Sequence, residues 1–63
     1  MELNLYRAAY ELPRNQGRKR VTFVATPAQA LPWAADFVRY CQRGYLLSIV
    51  ELRPVAQTEL ELT

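Results

Sequence analysis

From Glu2 to Leu12 the chain alternates. Leu3, Leu5 and Ala9 fall on one set of positions and Tyr6, Ala8, Tyr10 and Leu12 on the other, with Arg7 and Glu11 interrupting the first set. A period of two predicts a strand over residues 2–12. Pro13-Arg14-Asn15-Gln16-Gly17 then reads as a loop, because proline removes a ladder donor, asparagine tolerates turn geometry and glycine supplies positive φ. Residues 20–26 alternate again and are rich in β-branched side chains, so a second strand pairs with the first as a hairpin.

The period changes after Thr26. Thr26-Pro27-Ala28-Gln29 has the form of a capping box, with Pro27 where a missing donor is harmless. From there to Arg43, steps of 100° gather Ala30, Ala34, Phe37, Val38 and Cys41 into one arc, bordered by Leu31 on one side and Trp33 and Tyr40 on the other. An amphipathic helix is expected over residues 27–43, with an irregular first turn around Pro32 and Gly44 as its left-handed cap. Tyr45 to Arg53 is a nearly continuous apolar run, which predicts a third strand over 45–53 lying inside the sheet and ended by Pro54. Residues 58–62 alternate strictly and form a candidate fourth, edge strand.

The order ββαβ, with an optional last strand, predicts a single α+β domain over residues 1–63. It is a two-layer sandwich in which a small, mainly antiparallel sheet carries one helix on one face. A right-handed crossover makes the third strand parallel to the second, and beside the first it gives the order 2-1-3. The back of such a sheet has no cover within one chain. Tyr6, Tyr10 and alternate residues of the third strand are the expected occupants of that bare face, and a homodimer joined through the sheet would cover them.

Composition removes several classes of function. The chain has 63 residues, no histidine and one cysteine, Cys41. No internal disulfide or four-ligand zinc site can form, so no metal and no cofactor is expected. A domain this short is marginal without added support, and a partner subunit is the support left open. Apolar stretches are far too short to cross a bilayer, and Met1-Glu2-Leu3-Asn4 lacks the basic start of a signal peptide; a cytoplasmic location is expected. The net charge of +2 conceals polarity, since residues 1–43 carry +4 and residues 44–63 carry −2.

Catalytic chemistry has little to draw on, and no enzymatic activity is expected. Cys41 sits in the apolar arc, where a thiol acts as a small hydrophobe, and Glu59 and Glu61 read as solvated charges on a strand edge. Two features stand out. Arg14, Arg18, Lys19 and Arg20 place half of the eight cationic residues at the hairpin tip, where they could follow a phosphate backbone or serve as a solvated turn. Trp33 and Tyr40, seven apart on one side of the helix and rimmed by Asp36, Arg39 and Arg43, have the composition of a protein-binding patch or of a core edge. Size and element order resemble the small accessory proteins of bacterial and phage genomes. The expectation is a non-catalytic protein-interaction module that self-associates, using Tyr6, Tyr10, Trp33 and Tyr40. The alternative is a nucleic-acid binder using the basic tip.

Overall fold

A computed structural model describes residues 2–56. Strand β1 (Leu3–Glu11) is the centre of a three-stranded sheet of order β2-β1-β3, with β2 at Arg18–Ala25 and β3 at Tyr45–Val55. Both neighbours run antiparallel to β1, so β2 and β3 are parallel to each other, as a strand-helix-strand crossover requires. Helix α1 (Pro27–Asp36) and a continuing wide turn (Phe37–Cys41) cover one face. The expected α+β sandwich is thus the fold observed. The candidate strand at 58–62, with Glu59 and Glu61, lies outside the described residues.

The even positions of β1 explain where the core lies. Tyr6, Ala8 and Tyr10 are buried under the helix beside Phe23 and Ala25 of β2, and Ala30, Ala34 and Val38 come down from above. Four alanines at this contact let helix and sheet approach closely, while the bulk comes from rings. Tyr6 stacks on Phe23 at 5.7 Å, Phe23 on Trp33 at 4.3 Å and Trp33 on Phe37 at 5.2 Å, and Phe37 meets Tyr10 edge-on at 6.0 Å. Tyr6 and Tyr10 therefore do not belong to the bare face. Their parity in β1 is that of Ala8, which points at the helix.

Several local expectations are corrected. Thr26 does precede the helix, but its side chain makes no capping bond; its carbonyl instead accepts from the N–H groups of Gln29 and Ala30, both at 3.0 Å. The helix passes through Pro32 without a break at its first turn. Ala28, whose carbonyl loses its donor there, is exposed, so water can serve it. The irregularity sits at the other end, where Gln42 N–H reaches the carbonyl of Phe37 and Gly44 N–H that of Val38. Such wide turns advance less per residue than an α-helix, which rotates Cys41 off the apolar arc, and its thiol is exposed rather than in the core. The left-handed cap is Arg43, with φ 54°, and not Gly44. Glycine is needed at 44 for another reason: a Cβ there would collide with the backbone carbonyl of Glu11.

The third strand is an edge strand and largely exposed, contrary to the expectation of an interior one. Its apolar run is alternation interrupted by two irregularities in the pairing with β1, which pass over Leu47 and Leu52. Leu46 and Ile49 pack against the core, while Leu47, Val50 and Leu52 are exposed. Pro54 lies within β3 rather than ending it, as an edge position permits. No helix in the described residues is long and apolar enough to cross a membrane.

Candidate functional site

The face of the sheet opposite the helix, bare among the described residues, can be read from the pairing. Its rows, from hairpin tip inward, are Arg18, Glu11 and Tyr45, then Arg20, Ala9 and Ser48, then Thr22, Arg7 and Val50. Further from the tip stand Val24, Leu5 and Arg53. Arg7, Arg18, Lys19 and Arg20 border a concavity of about 490 Å³ whose floor and far wall include Ala9, Leu47, Ser48 and Val50. Within the described residues none of these four cations has a carboxylate partner.

The hairpin positions this group. Leu12 N–H donates to the carbonyl of Gly17 at 2.8 Å, closing a tip in which Arg14 and Asn15 take φ of 58° and 56° and Gly17 takes 99°. The asparagine and glycine fill the roles expected of them. Strand β2 starts at Arg18, two residues earlier than its alternation suggests, so Arg18, Lys19 and Arg20 are strand residues rather than loop residues. That matters because strand geometry fixes spacing. Arg18 and Arg20 are two residues apart, about 6.8 Å along β2. Arg20 faces Ala9, which makes Arg7 its diagonal neighbour at about 7–8 Å between α-carbons. The α-carbons of three arginines thus follow one another along a diagonal at nearly even intervals. Arg14 stays outside this group on the exposed tip.

Arg7 lies outside the basic cluster that the sequence shows at the hairpin tip. It interrupts the apolar pattern of β1, and that interruption was the signal, because its parity combined with the antiparallel pairing puts it on the same face as Arg18 and Arg20. A second surface lies on the helix side, where Trp33, Asp36, Phe37, Tyr40 and Cys41 line a shallow groove of about 350 Å³. Trp33 is 41% exposed although its ring stacks on both Phe23 and Phe37, and Tyr40 is 66% exposed with the guanidinium of Arg39 5.4 Å from its ring centroid.

Comparison with family models, curated proteins and solved structures finds no match. Chemically, the bare face offers fixed positive charge, a shallow apolar floor and no cluster of three metal-ligating side chains among the described residues. Such a surface can hold an extended polyanion. Arginine suits that role because its planar fork donates two parallel hydrogen bonds to a phosphate.

Proposed function

We propose that the protein is a non-catalytic nucleic-acid-binding module of the cytoplasm that holds a phosphate backbone on the bare face of its sheet. The observation that carries this reading is the diagonal row Arg18, Arg20, Arg7 above the concavity, with Lys19 at its border. An exposed thiol at Cys41 is suited to a reducing compartment. The test is a titration of labelled oligonucleotide across a range of salt. Three neutralised phosphates give a slope of log K against log salt of about −2 for a single strand, and each arginine changed to alanine lowers its size by about 0.7. Absence of binding at low salt, or a slope unaffected by Arg7→Ala and Arg20→Ala, would remove the proposal.

A second reading, a self-associating protein-interaction module, is favoured by the exposed apolar residues of β3 and by the groove beside Trp33 and Tyr40. Cationic β2 repels a copy of itself, whereas Tyr45, Leu47, Val50 and Leu52 leave β3 the apolar edge. Analytical ultracentrifugation over a dilution series decides it: a dimer at micromolar concentration that Leu47→Lys dissociates supports the reading, and a monomer throughout ends it.

A further inference from the structure

We infer that the nucleic acid recognised on the bare face is single-stranded, with its phosphates on the Arg18–Arg20–Arg7 row and one base stacked on Tyr45. This rests on the proposed nucleic-acid reading and specifies its ligand. Tyr45 pairs with Glu11 at the hairpin end of β3, and its neighbour Leu46 packs into the core, so alternation turns Tyr45 to the bare face. It is 70% exposed, the most exposed large apolar side chain among the described residues. Unlike Tyr6 and Tyr10, it has no ring partner within the described residues. A ring so placed has one free π-surface, and any base can use it.

The geometry separates the two halves of a nucleotide chain. Arg18 and Arg20 lie on β2 and Tyr45 on β3, two strand spacings or about 9.5 Å away across β1. That distance suits a backbone on one side of the sheet and bases reaching over to the other, where Leu47 and Val50 give an apolar floor. Glu11 stands between Arg18 and Tyr45. Its carboxylate repels phosphate and accepts from base N–H groups, which keeps the backbone on the β2 side. A duplex cannot use this arrangement, because its bases are stacked on one another and hide the faces Tyr45 would contact. The three arginines, whose α-carbons follow at intervals of about 7–8 Å, also suit the backbone of an extended strand better than the dense charge of a double helix.

Fluorescence anisotropy with labelled oligodeoxythymidylate, alone and as its duplex with oligodeoxyadenylate, tests this directly on the full chain. The single strand should bind about tenfold more tightly than the duplex, Tyr45→Ala should abolish that preference, and Tyr45→Phe should keep it. Circular dichroism of each variant confirms the fold, which a substitution at this exposed strand end leaves intact. Equal affinity for the two forms, or a preference unchanged in Tyr45→Ala, overturns the stacking inference while the phosphate-binding reading stands. Failure of both forms to bind at low salt overturns that reading and this inference together.

Discussion

The two faces of β1 carry residues from the same nine-residue stretch and are built to opposite ends. On the covered face Tyr6, Ala8 and Tyr10 are all under one tenth exposed, and rings from β2 and the helix close over them. On the bare face Arg7 is exposed and Leu3, Leu5, Ala9 and Glu11 are partly exposed, with only side chains from the flanking strands beside them. Among the described residues only one face is covered. The covered face accounts for the chain's stability, and the other is left free to carry charge at fixed intervals. The charged residues of β1 and β2 are thus placed by the pleat rather than by sequence proximity.

Two neighbouring alanines separate the faces most clearly. Ala8 is fully buried and Ala9, the next residue, faces the opposite way. Ala8→Leu should cost about 3 kcal/mol, at the upper end of overpacking effects, because Ala30 and Ala34 leave no room above it. In so small a domain that would lower Tm by well over ~10 °C. Ala9→Leu should change stability by less than about 0.5 kcal/mol. Urea denaturation of the two variants measures both, and equal losses would mean the faces do not differ as described.

A smaller effect is expected where the two layers meet at the sheet end. Gly44 lets the chain leave the helix and enter β3 directly against the carbonyl of Glu11. Gly44→Ala should cost about 2 kcal/mol, since the obstructing atom is backbone and the sheet must shift to admit the methyl group. Gly17→Ala is a useful contrast, because nothing lies within 4 Å of a Cβ there and only its φ of 99° opposes the change. A smaller loss at Gly44 than at Gly17 would show that conformation outweighs contact in this fold.

Much of this was legible in the sequence, for reasons that can be named. The strands β1 and β2, the helix and the order 2-1-3 follow from periodicity and chain connectivity, both of which are local or geometric. Cys41 was misplaced because a wide turn at Phe37–Cys41 changes the angular step, and no residue type announces such a turn. The exposure of β3 was misread because two irregular positions bring leucines into an alternating pattern and disguise it as a buried run. Three of the four basic tip residues do share the concavity. Arg7 joins them there, and Tyr45 shares the same face of the sheet, only through pairing register, which a single strand's pattern does not contain.

The least of the expected effects concerns Asn4, the one buried polar side chain on the covered face among the described residues. Asn4 is almost wholly buried between Ala25 and Pro54. Its Nδ2 donates to the hydroxyl of Tyr6 at 3.4 Å, near the limit of a hydrogen bond, and its Oδ1 has no partner among the described residues. An unpaired buried acceptor costs on the order of 1–3 kcal/mol, whereas replacing it with an apolar group of similar shape removes that cost. Asn4→Leu should therefore raise stability by about 1 kcal/mol, which in a domain of this size is roughly 4–8 °C in Tm. Asn4→Asp should do the reverse, because it buries a charge beside the same aromatic cluster. Thermal unfolding of both variants reads the difference. A loss of stability in Asn4→Leu would mean that Oδ1 is satisfied in solution, and that the covered face is less purely a packed core than its rings and alanines indicate.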